Sequence, residues 1–259
     1  MLKRLFRDFR RHREFTLASI EMGLKSDYAN SYLGYLWWIL DPLLFMGVYV
    51  FVVQIVLDRG GPDYPVFVMC SMLFWRWASK SIHESTNSII RKRSLLSQTY
   101  LPKHILPLVS LSVNAVYFLV SILVLLGMLA LFRIPLTWHV LEFPAIFAVQ
   151  FVLLLGMGFW LAHLGALYYD VHVAINFVLR VWFYVSPGLY AVEALPPALQ
   201  PLLWLNPMST IYTSSRNVFL YGQSPLYLGL ALWTAVGLAL ILTGALLLYR
   251  FDNTYAKML

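Results

Sequence analysis

The chain has 259 residues, of which 60% are hydrophobic and 12% charged, against roughly 45–50% and about 25% in soluble globular domains. A soluble protein of this length cannot bury so much apolar surface, so the composition predicts an integral membrane protein. The formal net charge of +7 is better explained by basic connections beside anionic lipid than by nucleic-acid binding. The single cysteine, Cys70, excludes an internal disulfide and a cysteine-based zinc site.

Residues 1–34 are predicted to form a cytoplasmic amphipathic interface region. Leu2, Leu5, Phe6 and Phe9 recur at helical spacing among basic residues. Such a helix lies in the membrane interface with its apolar side towards the acyl chains. The pattern is equally consistent with a helix that only anchors the chain to the membrane and with a helix that moves in response to a cytoplasmic partner protein.

Six apolar segments are predicted to cross the membrane as helices of roughly 20 residues. They cover residues 35–57, 65–82, 105–132, 143–168, 173–190 and 226–250. Their continuous hydrophobicity is unlike the alternation of barrel strands. The expected fold class is therefore all-α, with residues 35–259 forming one six-span transmembrane domain.

Basic residues outside these segments concentrate on one side of the membrane. Seven precede the first span, five flank the connection after the second and two follow the last, which makes 14, against three in the opposite connections. By the positive-inside rule, both termini are expected in the cytoplasm.

The cytoplasmic connection after the second span is predicted to contain a short helix at about 85–101. Ile89, Ile90, Leu95 and Leu96 give this helix an apolar patch. An exposed amphipathic helix either docks into a groove on another protein or simply reverses the chain direction.

Residues 191–225 are unusual for an extracytoplasmic loop. Residues 196–205 are apolar but too short to span, and the Asn206–Pro207 pair marks a turn. Irregular backbone at membrane depth is tolerated where it is buried in protein or lines a cavity. We expect a re-entrant segment that borders a pathway; the alternative is a helix lying flat on the outer surface.

Small residues recur at every fourth position in two predicted spans, which favours close helix packing within the chain or between two copies. They are Gly158, Ala162 and Ala166 in the fourth span, and Ala231, Ala235 and Ala239 in the sixth.

Aromatic side chains make up 16% of the sequence and offer flat apolar faces on which sugar rings pack. The candidate channel residues are Tyr35, Trp37, Trp38, Phe45, Tyr49, Tyr117, Tyr184 and Tyr190. Helix packing is the alternative for each ring. Four tryptophans near predicted span ends are typical of an interfacial belt: Trp75, Trp77, Trp138 and Trp204.

Signatures of catalysis and ion coupling are absent from the sequence. There is no G-x-x-x-x-G-K-[ST] loop, G-x-S-x-G elbow or H-E-x-x-H helix. Asp41 and Arg76 occupy neighbouring spans and are expected near opposite ends, unpaired. Carboxylates in the spans are too few for a proton-coupled flippase. A membrane glycosyl- or phosphotransferase acting on a lipid-linked sugar is the main alternative, although it would gather its acidic or histidine residues at one membrane face.

Four motifs follow one another along nearly the whole chain. "SYLGYLWWILDPLL" begins at Ser31, "LPKHILPLVSL" at Leu101, "SPGLY" at Ser186, and "LPPALQPLLWLNPMSTIYTSSRNVFLYG" at Leu195. Their order and spacing resemble the permease subunits of bacterial ABC exporters for lipid-linked polysaccharides and teichoic acids. Two departures are Tyr168–Tyr169–Asp170, where that family often has F-R-D, and Asp41 in place of an apolar residue before the proline.

The resemblance implies a multi-pass protein of the bacterial cytoplasmic membrane that forms a homodimer with two copies of a separate ABC ATPase. ATP and Mg²⁺ would bind the ATPase, and this chain would hold no cofactor or metal. The cargo would be a teichoic acid or an O-antigen or capsule-type polysaccharide linked to undecaprenyl diphosphate.

The resemblance also implies roles for particular residues. The ATPase-coupling residues would be Asn87, Arg91, Leu95, Leu96 and Asp170. Attraction of the diphosphate would fall to Lys25, Arg91, Lys92 and Arg93, although membrane topology explains these cations equally well. The gate residues would be Pro187, Trp204, Asn206, Pro207 and Arg216.

Overall fold

The computed structural model of the chain describes residues 2–26, 31–98, 101–252 and 255, and every regular element in these ranges is helical. The α-helices are α1 Leu2–Arg11, α2 Arg13–Ser26, α3 Trp37–Val50, α4 Tyr64–Arg91, α5 Arg93–Gln98, α6 Ile105–Leu131, α7 Phe143–Leu167, α8 Asp170–Val185, α9 Gln200–Leu203, α10 Pro207–Arg216 and α11 Tyr227–Arg250. π-helical turns continue α3 over Phe51–Val56 and α10 over Asn217–Tyr221. The all-α prediction is confirmed.

Within the described residues, four helical segments are long and apolar enough to cross a membrane. They are Trp37–Val56, Ile105–Leu131, Trp138–Leu167 and Tyr227–Arg250, which match the first, third, fourth and sixth predicted spans. The other two predicted spans correspond to α4, whose C-terminal part is polar, and α8, which has 16 residues. A total of six spans stays a prediction.

Helix α4 lies at the centre of the bundle, in contact with α3, α6, α7, α8 and α10. Trp75 and Trp77 are only 8% and 3% exposed, and Trp77 stacks on Phe118 and Phe147 at centroid distances of 4.7 and 4.9 Å. The expectation that these two tryptophans belong to an interfacial belt is wrong, because α4 is surrounded by other helices at this level. Trp138 and Trp204 are exposed.

The boundaries expected for the short helix at about 85–101 are wrong. Helix α4 continues to Arg91, and a separate six-residue helix, α5, begins at Arg93. The polar residues that suggested a connection bond to their own helix: Thr86 Oγ1 donates to Ile82 O at 2.8 Å, and Asn87 Nδ2 donates to His83 O at 2.8 Å. Since these side chains are satisfied locally, they do not interrupt the helix.

Helices α7 and α11 pack closely through glycines. A Cβ atom at Gly237 would lie 3.0 Å from Leu153 Cα, and one at Gly244 would lie 2.7 Å from Phe159 Cβ. The alanines that suggested a packing seam in the last span are exposed, so they form no seam within the chain; contact between copies through them stays a prediction. In the fourth span, Gly158 and Ala162 are buried.

Side-chain contacts tie α1 to the other helices at the end of the bundle where α11 ends. Tyr249 Oη donates to Asp8 Oδ2 at 2.6 Å, and the Phe9 ring meets His104 edge-on at 5.1 Å. Lys103 forms a 2.8 Å ion pair with Asp252 just beyond α11. The N-terminal helical region is therefore held on the bundle by polar and aromatic contacts.

Candidate transport path

A cavity of about 370 Å³ lies between α3, α4 and α6, and we call it the aromatic cavity. Its aromatic lining residues are Trp37, Trp38, Phe45, Tyr49, Trp75, Trp77, Tyr117 and Phe118. Its charged lining residues are Asp41, Arg76 and Lys80. Helical spacing places the rings of α3 on one face towards α4, and Trp38 meets Tyr117 of α6 edge-on at 4.9 Å.

Asp41 and Arg76 form an ion pair across α3 and α4. Arg76 Nη1 also donates to the backbone oxygen of Asp41 at 3.2 Å, and its guanidinium carbon lies 4.6 Å from the centre of the Phe45 ring. The expectation that the two residues would not pair is wrong. In an antiparallel pair of helices, the start of the first helix lies beside the later part of the second, which brings these residues together.

Lys80 extends the charged face of α4 by one further turn. Its Nζ atom lies 4.5 Å from the centre of the Tyr117 ring and 3.9 Å from Glu84 Oε1. Glu84 Oε2 accepts a 2.7 Å hydrogen bond from Asn114 Nδ2 of α6. The cavity thus combines aromatic ring faces with side-chain hydrogen-bond donors and acceptors that are held in place. This arrangement suits a solute that has both apolar faces and hydroxyl groups, such as a sugar.

A second cavity, of about 510 Å³, lies between α3, α4 and α8. It shares Tyr49, Trp75, Ser79 and Lys80 with the aromatic cavity, so the two cavities adjoin on either side of the same residues. Its further polar lining residues are His83, Asn176, Arg180 and Tyr184. Tyr49 and Phe183 are 5.7 Å apart between ring centres, which is a direct contact of α3 with α8.

Arg216, at the end of α10, is 3% exposed, and no carboxylate in the described part of the chain lies within ion-pair distance of it. Its guanidinium donates to three backbone carbonyl oxygens: Gly188 O at 2.8 Å, Tyr190 O at 3.4 Å and Phe67 O at 3.4 Å. The guanidinium carbon also lies 3.5 Å from the centre of the Phe67 ring. Arg216 therefore fastens the turn after α8 to both α4 and α10.

Asn206 joins the same turn to the start of α10. Its Oδ1 atom accepts from Met208 N at 3.0 Å, which caps α10, and from Trp182 Nε1 at 2.9 Å. Its Nδ2 atom donates to Ser186 Oγ at 2.8 Å. An Asn before a proline at the first helical position is a typical helix start. Pro187 follows Ser186 in this turn, and Pro207 and the exposed Trp204 flank Asn206.

The structure distributes the candidate channel residues among three places. Five line the aromatic cavity: Trp37, Trp38, Phe45, Tyr49 and Tyr117. Tyr184 lines the second cavity, and Tyr190 lines a separate cavity of about 650 Å³ beside the α3–α4 connection. The side chain of Tyr35 lies outside the described residues. Contact of any of these rings with a substrate stays a prediction.

The candidate coupling residues lie at the end of α4, in α5 and at the start of α8. Arg91 is exposed, and Leu95 and Leu96 are half-buried. Asp170 is the exposed first residue of α8. The end of α7 lies against α4, because a Cβ atom at Gly165 would lie 2.2 Å from Thr86 O.

The cations assigned to diphosphate attraction fall into two groups. Arg91, Lys92 and Arg93 are consecutive and exposed at the α4–α5 junction. Lys25 is on α2, where it forms a 2.6 Å ion pair with Glu21 one turn earlier. An ATPase contact and a diphosphate contact stay predictions.

The sequence-based assignment missed the polar stripe of α4. Arg76, Lys80 and Glu84 are four residues apart and thus share one helix face, a signal that the sequence carried. The partners of this stripe, Asp41 and Asn114, lie on other helices and are not indicated by that spacing.

Comparisons with known proteins agree with one another. The family model described as "ABC-2 type transporter" matches residues 14–220. The chain is 31% identical over 226 residues to the O-antigen export system permease protein RfbA of Myxococcus xanthus, covering 86% of each chain. It is 29% identical over 225 residues to the protein of the same name from Klebsiella pneumoniae, covering 84% of this chain and 86% of that one.

Proposed function

The chain belongs to the ABC-2 type transporter family of membrane proteins, and from this premise we propose that it is the permease subunit of an ATP-driven exporter of lipid-linked O-antigen-type polysaccharide. The resemblance read from the sequence motifs is confirmed by the family match. As a family member the chain is a transport component rather than an enzyme, and an ABC transport system also implies an ATPase component.

The aromatic cavity is the observation that carries the proposed cargo class. Its ring faces suit the apolar faces of sugars, and its paired charges supply fixed hydrogen-bonding groups without a strong net field. The curated relatives are named for O-antigen export, which favours O-antigen over teichoic acid as the polymer. Both would be carried on undecaprenyl diphosphate, so teichoic acid is the alternative cargo of the same path.

The assembly we propose is a homodimer with two ATPase subunits in the inner membrane, with both termini cytoplasmic and six spans per chain. The second copy would lie against exposed apolar side chains that otherwise face lipid, such as Phe51 and Ile55 on the π-helical turns after α3 and Phe177 and Val181 on α8. The turn held by Arg216 and Asn206, with the buried helix α10, would form the re-entrant extracytoplasmic gate. Helix α5 and the end of α4 would meet the ATPase.

Co-purification tests the assembly. A tag on this chain, with native membranes dissolved in mild detergent, is expected to recover an ABC ATPase in near one-to-one ratio. The complex in proteoliposomes should hydrolyse ATP and translocate lipid-linked polysaccharide. Recovery of the chain alone under several detergents would contradict the exporter and favour the transferase alternative.

Truncation of two cavity rings tests the path. Trp38→Ala and Tyr49→Ala are each expected to lower polymer export several-fold, because each removes one of the ring faces that line the aromatic cavity. Export is measured as surface polysaccharide in cells, and recovery of the ATPase should be unchanged. Trp138→Ala, at an exposed ring outside both cavities, is the control; normal export by both cavity variants would show that these rings only pack.

A further inference from the structure

A third cavity, of about 650 Å³, lies between α2, α4, α5 and α6, and we call it the interface cavity. Its lining includes Phe15, Ser19, Met22 and Ser26 of α2, whose spacing of four, three and four residues places them on one helix face. Helix α2 approaches α6 closely at Gly23, where a Cβ atom would lie 2.9 Å from Val113 Cγ2. The helices thus make a tight contact at one place and leave the cavity open beside it.

The lining of the interface cavity is divided by polarity. One wall is apolar and consists of Phe15, Leu95, Leu106, Val109 and Val113. The α4–α5 junction contributes the exposed cations Arg91 and Lys92 together with the hydroxyl groups of Ser88 and Ser94.

Neither Arg91 nor Lys92 forms an ion pair with a residue in the described ranges. Glu84, the acidic residue of the lining, is already engaged, since it accepts from Asn114 and lies 3.9 Å from Lys80 Nζ. The cavity therefore has a net positive side and an apolar side.

We propose that the interface cavity binds one anionic glycerophospholipid as a resident ligand. The phosphate would lie at Arg91 and Lys92, and an acyl chain would lie along Phe15, Leu106 and Val109. A free phosphate would leave the apolar wall uncovered, and a neutral lipid would leave the excess positive charge unmatched. The cavity is open on the side of Met22, which is 67% exposed, so an acyl chain would remove the apolar wall from contact with water.

A lipid in this position would contact both α2 and α5. Helix α2 belongs to the predicted membrane-interface region, and the proposed function places α5 at the ATPase contact. The lipid would therefore set the position of one relative to the other, so that membrane composition regulates coupling. This inference concerns a bound membrane lipid and goes beyond the proposed cargo.

Lipid retention by the full-length chain tests the proposal. The protein is purified from native membranes with its copurifying partners, washed in detergent, and its phospholipids are identified by native mass spectrometry. The variant with Arg91→Ala and Lys92→Ala is expected to retain about 30-fold less phosphatidylglycerol than the unmodified chain, because each cation contributes several-fold to anionic-lipid binding. The control with Arg10→Ala and Arg13→Ala removes the same charge from exposed positions outside the cavity and should retain the lipid.

A cavity-filling variant tests the acyl-chain contact, and ligand addition tests the headgroup. Val109→Trp should displace the acyl chain and abolish retention, while the unfolding temperature of the delipidated variant stays at or above that of the delipidated unmodified chain. Phosphatidylglycerol should raise the unfolding temperature of the delipidated chain, whereas phosphatidylcholine and inorganic phosphate should not.

Three results would overturn the proposal: equal lipid retention by the two double variants, a full effect from inorganic phosphate alone, or occupation by the lipid-linked polymer in place of a phospholipid. Retention is measured without ATP and does not depend on transport. If the unmodified complex retains the phospholipid but exports no polymer, the proposed function is contradicted and this inference stands.

Discussion

Neutralising either member of the Asp41–Arg76 pair is expected to abolish most polymer export. Asp41→Asn leaves the Arg76 guanidinium at the aromatic cavity without a carboxylate partner. Arg76→Met leaves the Asp41 carboxylate there without a cationic partner. Removing one partner of a fully buried ion pair costs about 3–5 kcal/mol. The Arg76 side chain is 28% exposed and the Asp41 side chain 36% exposed, so we expect a smaller loss of stability, about 1–3 kcal/mol, together with a displaced α3.

A variant in which the two charges are exchanged shows whether export depends on the Asp41–Arg76 ion pair or only on helix packing at these positions. The double variant with Asp41→Arg and Arg76→Asp restores one charge of each sign and should recover part of the export that both single variants lose. Export is measured as surface polysaccharide, and helix packing as the unfolding temperature of the purified chain. Arg250→Met, at an exposed arginine at the end of α11, is the control. An exchange variant no better than the single variants would mean that the pair is not a functional contact between α3 and α4.

Arg216→Met is expected to destabilise the chain by about 2–4 kcal/mol, because three carbonyl oxygens lose their donor in a region closed to water. The turn after α8 is held to α4 and α10 by these bonds, so its release should also open the proposed gate. Arg216→Lys should recover little, since a single ammonium group cannot reproduce the forked donors of a guanidinium.

Two measurements follow the release of this turn. The unfolding temperature reports stability, and the entry of a small dye into proteoliposomes without ATP reports a leak. Arg59→Met, which removes an exposed cation from the α3–α4 connection, should change neither. If Arg216→Lys unfolds at the original temperature and remains sealed, the three carbonyl bonds are dispensable and Arg216 is only a buried charge.

Much of the candidate path was accessible to sequence reasoning because its signals are local. Trp38, Phe45 and Tyr49 recur at helical spacing, and the cavity between α3, α4 and α6 contains them. The Asn206–Pro207 pair predicted a turn, and Asn206 in this turn caps the helix that begins at Pro207. These features depend on the period of one helix or on the chemistry of adjacent residues, which neighbouring helices do not alter.

The partner of each side chain was not accessible in the same way. Hydropathy marks where an apolar helix runs, but it does not say which neighbours surround it. Trp75 and Trp77 were predicted to be interfacial residues, and they are buried because α4 lies at the centre of the bundle. Asp41 was expected near the opposite end of the neighbouring span from Arg76, whereas the antiparallel packing of α3 and α4 brings the two side chains together.

The sequence by itself determined the membrane class, the helical fold and the family motifs, because composition, helical periodicity and short-range turn chemistry are properties of contiguous residues. Tertiary structure alone decided the ion pair of the aromatic cavity, the carbonyl contacts of Arg216 and the glycine contacts between α7 and α11. These arise from packing between helices distant in sequence, where the free energy depends on which faces meet.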